Sequence, residues 1–255
     1  MKPSDQEIAT QTLTPEHHKQ AVELIQVDGY VVFEGVLPPE LIAPLRSEFL
    51  QEFEAHIART DPNRGRNRYQ MHLPFRAPFN DAQIITNALV LPIIEELLGE
   101  DAVCHYFASD TALPGSDYQA VHSDIHLLFP ETSLALPAYS LVLNVPLVDF
   151  RANNGPVEIW PGGTHLMPGR VDMQTLAPQM HSQPVLMPAG SLLLRDLRMW
   201  HRGTPNTSDE ARPNLAFIYS RPWLKTSYPA IEIEQSTYDA LSPRAQKLFR
   251  FEQIA

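Results

Sequence analysis

The sequence has a single cysteine, Cys104, among 255 residues. One thiol excludes an internal disulfide and a thiolate zinc site. Its neighbours Val103, Tyr106 and Phe107 put it in a β-prone run, where a lone cysteine serves as a small buried apolar side chain. Positive charge is scarce: 19 Lys and Arg against 30 Asp and Glu leave a net charge of −11. That balance argues against a nucleic-acid-binding surface, because neutralising phosphates takes clustered basic residues. No run reaches the roughly 18 consecutive apolar residues of a membrane helix. The opening Met1-Lys2-Pro3-Ser4-Asp5-Gln6-Glu7 has no apolar signal-peptide core. Repeats, low-complexity tracts and linkers are also missing. The expectation is a soluble cytoplasmic protein, reduced and folded as a single domain over 1–255, with neither nucleic acid nor membrane as a partner.

What is present is a globular composition, 44% hydrophobic and 19% charged, with 24 prolines that fit loop punctuation. Thr14-Pro15-Glu16 reads as an N-cap and a first-turn proline, opening a helix that stops at Asp28-Gly29. Tyr30–Phe33 is a short β-rich run. Pro38-Pro39-Glu40 opens a second helix with Leu41, Leu45, Phe49, Phe53 and Ile57 on one face. A third helix is expected over Asn87–Leu98, ending at Gly99.

From about residue 101 the texture changes to short β-prone runs at Val103–Ala108, Tyr118–Ser123, Tyr139–Val145, Val157–Trp160, Ser191–Leu194 and Leu215–Ser220. Proline- and glycine-rich turns separate them, which predicts a sandwich or jelly roll with helices on one outer face. The expected layout is a helical part over about 1–100, a jelly-roll core over about 101–225 and an extension over about 226–255.

His122-Ser123-Asp124 carries the chemistry. Residues i and i+2 of a strand share a face, so this imidazole and carboxylate, about 6.6 Å apart at a rise of about 3.3 Å per residue, can grip one metal ion. His201, 77 positions after Asp124, would complete a two-histidine, one-carboxylate triad that leaves half of an octahedral iron open. His126 shares the strand face but lies roughly 13 Å from His122 by the same rise, so it is a pocket or surface group. Arg212 follows His201 by 11 positions and opens the next strand, so a hairpin would bring the two close. A guanidinium there suits the far carboxylate of a dicarboxylate co-substrate. Arg195, Arg198, Arg202 and Arg221 compete for that role, and spacing does not choose among them. Arg64, Arg66 and Arg68 form a basic loop, read as a solvated surface or as a contact for an anionic group on a small substrate.

Four segments in order carry a resemblance. They are Asp28-Gly29-Tyr30-Val31-Val32-Phe33-Glu34-Gly35-Val36-Leu37, His122-Ser123-Asp124, Asn154-Gly155-Pro156 running to Pro161-Gly162-Gly163-Thr164-His165, and His201 with Arg212. Over most of its length the chain resembles the phytanoyl-CoA dioxygenase family of Fe(II)- and 2-oxoglutarate-dependent oxygenases. The resemblance implies a double-stranded β-helix, a cupin-like jelly roll, mainly β with flanking helices. It implies Fe(II) on His122, Asp124 and His201, 2-oxoglutarate with its C5 carboxylate on Arg212, and dioxygen as the second co-substrate. Asn144, Gln119 and His105 are further candidates for the co-substrate site. Gly203 stands where relatives often have a hydroxyl residue, so that contact is absent or comes from Thr204. Gln70 and His72 fall where relatives have a loop over the active site, and His126 is a third candidate for substrate contact. His165 is expected to hold a loop rather than a metal.

The implied reaction oxidises an unactivated C–H bond of a small molecule. Halogenating relatives have a small residue at the position of Asp124, so its carboxylate favours hydroxylation, desaturation or ring formation. Two other classes stay open. A cupin-type metal dioxygenase without 2-oxoglutarate would not need Arg212, and a non-catalytic jelly-roll binding protein would need neither metal nor arginine.

Overall fold

Two antiparallel sheets face each other in the computed structural model of the protein, which describes residues 1–167 and 171–255. The strands in chain order are β1 (Tyr30–Phe33), β2 (Arg68–His72), β3 (Val103–Ala112), β4 (Ser140–Pro146), β5 (Val157–Ile159), β6 (Gln183–Pro184), β7 (Leu192–Asp196), β8 (His201–Gly203) and β9 (Arg212–Ser220). The larger sheet runs β1-β7-β4-β9-β3-β2 and the smaller runs β6-β5-β8. Helices α1 (Asp5–Thr10), α2 (Pro15–Asp28), α3 (Pro39–Ile57), α4 (Ala82–Ile85) and α5 (Leu91–Leu98) precede most of the strands. The result is a jelly roll with flanking helices.

The two-residue period of the strands divides the large sheet into two faces. Leu141, Leu143, Leu192, Leu194, Phe217 and Tyr219 point to the helices and join one buried cluster with Ile25, Leu45, Phe49 and Phe53. Burying each such side chain stabilises the fold by about 1.5–3 kcal/mol. The alternate residues face the small sheet, and the register aligns them in rows. Tyr106, Ile218, Val142 and Arg195 lie in one row, and Ala108, Ala216 and Asn144 in the next. Then come Gln70, Asp110 and Asn214, and finally Arg68, Ala112 and Arg212. Because both faces are covered, every residue of β4 is buried, which is why it reads as a nearly continuous apolar run.

Three expectations change. Tyr118–Ser123 is not a strand: it touches β8 through a single bridge, His122 to His201. Gln119 N donates to Gly203 O and His122 N to His201 O, so three steps on one side match two on the other and the ladder breaks. The third helix starts at Leu91 instead of Asn87, with Pro92 in its first turn. The Asn87 side chain instead accepts from Leu89 N and Val90 N in the preceding turn. The basic loop is only partly solvated, because Arg68 lies on β2 and is fully buried. Helix α1 adds to the expected set and is opened by a capping box of Ser4 and Glu7.

Gly190 fastens the helical layer to the sheet. Its N–H donates to Pro146 O and its carbonyl accepts from Leu37 N. Its φ is +77°, and a Cβ there would collide with the Leu37 carbonyl. Gly190→Ala should therefore lower unfolding stability by about 2–4 kcal/mol, combining left-handed strain with overlap. Urea denaturation monitored by circular dichroism would measure it.

Candidate active site

The backbone itself presses two distant histidines together. His122 N donates to His201 O at 3.0 Å and His201 N to His122 O at 2.9 Å. Their rings lie 4.3 Å apart between centroids. Asp124 N donates to Leu197 O, which turns the carboxylate toward the same spot. His122 Nε2 is 3.7 Å from Asp124 Oδ1, and His201 Nε2 is 3.3 Å from Oδ2. The ligand atoms of the three residues lie within 4.8 Å of one another. Ligands about 2.1 Å from a central ion stand roughly 3 Å apart at right angles, so the set fits a metal with little adjustment.

Second partners orient both rings. His122 Nδ1 lies 2.9 Å from Ala120 O, and His201 Nδ1 lies 3.0 Å from Met199 O. A carbonyl only accepts, so each Nδ1 carries the proton and each Nε2 offers a lone pair. Burial pushes the His122 imidazole down to about 4, with His201 adding to the effect. Burial works to raise the Asp124 carboxyl, but His201 and Arg195 outweigh it and hold the group well below the usual carboxylate range. Both shifts favour the deprotonated forms of His122 and Asp124, the forms that bind a metal.

These residues open onto a cavity of about 300 Å³ between the sheets. Arg212, Asn144, Gln119 and Gln70 line it. Gln119 also braces the wall, accepting from Gly203 N at 2.8 Å and donating to Arg64 O at 3.1 Å. The other candidates lie outside the lining, each held elsewhere. His105 meets Ser220 Oγ at 2.6 Å and stacks on Tyr228. Thr204 Oγ1 donates to Pro156 O at 2.7 Å. His72 packs edge-on against Tyr106. The carbonyl of His126 accepts from Tyr139. His165 is buried outside the triad, with Nε2 donating to Gln26 O and its ring against Gly29.

The competing arginines separate by partner. Arg198 is paired with the buried Asp196 at 2.7 Å, and Arg202 with Glu158 at 2.6 Å. Arg221 donates to the Ala138 and Leu97 carbonyls. Arg195 is paired with Asp124 of the triad, with Nη2 2.6 Å from Oδ2. Arg212 alone among the five candidates combines burial in the cavity wall with no carboxylate bond among the described residues. It packs over Phe150 at 4.8 Å, donates weakly to Asp110 O at 3.4 Å, and leaves Nε without a partner.

Arg68 was read from the sequence only as one arginine of a basic loop. It is fully buried beside Gly203, donates to the Asp117 and Thr204 carbonyls, and leaves Nη1 unpartnered. A Cβ on Gly203 would lie 2.5 Å from that nitrogen, so the missing side chain is the space the guanidinium uses. Burial pushes the Arg212 guanidinium down to about 10; Asp110 opposes that shift and Arg68 adds to it. Two like charges therefore share one buried end of the site. The signal for Arg68 was its place in the alternation Arg68-Gln70-His72 ahead of an apolar strand, which the glycine and asparagine around it obscured.

Residues 25–214 match the family model described as phytanoyl-CoA dioxygenase. The dioxygenase trt7 of Aspergillus terreus is 25% identical over 242 residues, covering 90% of this chain and 82% of its own. Among solved structures, AviO1 from Streptomyces viridochromogenes has a TM-score of 0.65 at 21% identity, over 83% of this chain and 98% of its own. The non-heme alpha ketoglutarate dependent epimerase SnoN from nogalamycin biosynthesis has a TM-score of 0.63 at 21% identity, over 82% of this chain and 84% of its own. At such identities the structural likeness establishes the fold.

Replacing His122 or His201 by alanine should weaken Mn(II) binding by about 100-fold or more, as loss of one of three ligands does. His165→Ala should leave it unchanged and lower the melting temperature instead. Calorimetric titration with Mn(II) separates the two outcomes.

Proposed function

The chain belongs to the phytanoyl-CoA dioxygenase family, and on that premise we propose that it is an Fe(II)- and 2-oxoglutarate-dependent oxygenase that oxidises an unactivated C–H bond of a small molecule, in natural-product metabolism. One observation carries the reading beyond the family: two buried guanidiniums, Arg212 in the cavity wall and Arg68 in the same row of the sheet, have no carboxylate ion pair of their own among the described residues. A buried charge left without a partner costs several kcal/mol, so this end of the site is built for an anion.

In the proposed mechanism His122 Nε2, His201 Nε2 and an Asp124 oxygen would hold the iron. Arg195 holds Asp124 Oδ2 at 2.6 Å, which would leave Oδ1 as the carboxylate oxygen free to bind the metal. Arg212 and Arg68 receive the C5 carboxylate of 2-oxoglutarate and so fix the other end of that molecule. Iron and 2-oxoglutarate, when bound, supply the oxidising power that no side chain of the protein has. The side chains of Val142, Ala216 and Ile218 line the cavity with hydrocarbon and exclude water from the reacting bond. The Asp124 carboxylate occupies the position that a halide would need, which favours hydroxylation, desaturation or ring formation.

Anaerobic addition of Fe(II) and 2-oxoglutarate should produce a visible charge-transfer band, and Asp124→Ala should abolish it. Arg212→Met should raise the 2-oxoglutarate concentration for half-saturation by about 30-fold or more, the loss expected for a buried charge-assisted contact. Arg68→Met should act in the same direction. A wild-type protein that takes up iron yet gives no band would refute the co-substrate assignment.

A further inference from the structure

The cavity holds more positive charge than the proposed cofactors use. Arg64, Arg195 and Arg212 line it and Arg68 lies buried against its wall, facing only Asp110 and Asp124 as carboxylates. Ferrous iron and the dianion of 2-oxoglutarate cancel each other, so two positive charges remain over. This surplus sits in a protein whose net charge is −11. Arg195 is taken by Asp124, and Arg212 with Arg68 by the co-substrate. Among the described residues, the cavity-lining guanidinium left without an anionic partner is Arg64. Its loop neighbour Arg66 has one, Asp117 at 3.6 Å.

Arg64 is held in place over the cavity. Its N–H donates to Arg68 O, its carbonyl accepts from Gln119 Nε2 at 3.1 Å, and Nη2 donates to Gln70 Oε1. Arg64 itself is exposed to solvent, and it shares the cavity lining with Tyr106 and Tyr228, whose rings are 4.8 Å apart. Neither phenol hydroxyl has a hydrogen-bond partner among the described residues. Burial raises both phenols above their ordinary range, so each stays a neutral O–H donor. On the same row as Tyr106 the wall is hydrocarbon, Ile218 and Val142.

We propose that the substrate is an organic oxyanion, a carboxylate or phosphonate, whose charged group is received by Arg64 with the Tyr106 and Tyr228 hydroxyls while its carbon skeleton lies over Ile218 and Val142 toward the triad. The proposal rests on the function read above, because the charge surplus counts the iron and 2-oxoglutarate. It adds the class of substrate: an acid in place of its neutral amide or ester.

The test uses the full chain loaded anaerobically with Fe(II) and saturating 2-oxoglutarate, which keeps added acids out of the Arg212 end. Benzoate, phenylacetate, 3-phenylpropionate and phenylphosphonate are titrated by calorimetry, each carboxylate beside its primary amide. At least one acid should bind about 10-fold or more tightly than its amide, the carboxylates and the phosphonate reporting which oxyanion is preferred. Arg64→Gln should remove that preference, and Tyr106→Phe should reduce it by about 3- to 10-fold. Arg66→Gln, on the exposed side of the same loop, should leave it intact. Equal binding of acid and amide, an acid preference surviving in Arg64→Gln, or no acid bound by a protein that shows its charge-transfer band would each overturn the proposal. A missing band in the same sample is a separate result, which overturns the co-substrate reading instead.

Discussion

Alternation along the large sheet is the constraint on which the rest depends. Each strand between β1 and β3 has one set of side chains against the helices and the other against the cavity, with no third direction available. On β9, Leu215, Phe217 and Tyr219 enter the helical core, and Arg212, Asn214, Ala216 and Ile218 therefore face inward. The same parity on β7 sends Leu192 and Leu194 to the helices and Arg195 to the triad. A one-residue slip in either strand would bury a guanidinium among leucines. The helical core thus fixes the register of the chemistry, and packing and function cannot be separated in these strands.

Charge is placed inside this frame at a cost, and the partners show what each cost is for. Arg198 and Asp196 are both buried and bonded to each other through Nε and Nη2. That pair is closed and needs nothing further. Arg68 and Arg212 are as deeply buried, yet they end on carbonyls, a phenylalanine ring and unpartnered nitrogens. Desolvating a guanidinium costs several kcal/mol, and a protein selected for stability alone would pair or replace such groups. The open nitrogens sit at one end of a cavity whose other end is the triad. Asn214 Oδ1 and Asp110 Oδ1 are buried without partners nearby, so the stored cost is concentrated where a polar ligand would relieve it.

Much of this was legible in the residues. The grouping of His122, Asp124 and His201 was readable from their spacing and the ordered segments around them, and the place of Arg212 in the cavity wall from its opening an apolar strand 11 positions after His201. The strand expected at Tyr118–Ser123 failed because β8 is only three residues long and cannot support a regular ladder beside it. His105, Thr204, His72 and His126 were drawn in by position, but each is held by a contact that local sequence does not encode: Ser220, the Pro156 carbonyl, the Tyr106 ring and Tyr139. Arg68 was read only as part of a basic loop, and its burial beside the cavity went unseen for a related reason. Its burial depends on Gly203, a residue 135 positions away, having no side chain. Pairings of that kind arise from the fold and leave no local pattern.

The Arg195 contact bears on how the triad can work at all. A carboxylate has two oxygens and can occupy two positions on a metal, closing part of the face that co-substrate and dioxygen require. Oδ2 of Asp124 is already engaged by Arg195 at 2.6 Å, and the guanidinium is itself 94% buried in the wall, with a short aligned path to that oxygen. To chelate with both oxygens, Asp124 would have to give up a charge-assisted bond worth about 1.5–3 kcal/mol. Arg195 also offsets the carboxylate's charge, which tempers the pull of Asp124 on the metal. The same arginine stands 3.2 Å from His201 Nδ1, and because a guanidinium only donates, that contact turns repulsive once Nδ1 carries a proton to the Met199 carbonyl. It is confined between a ligand it holds and a ligand it must avoid. Lysine, with a single rotating ammonium, could not satisfy both demands from β7.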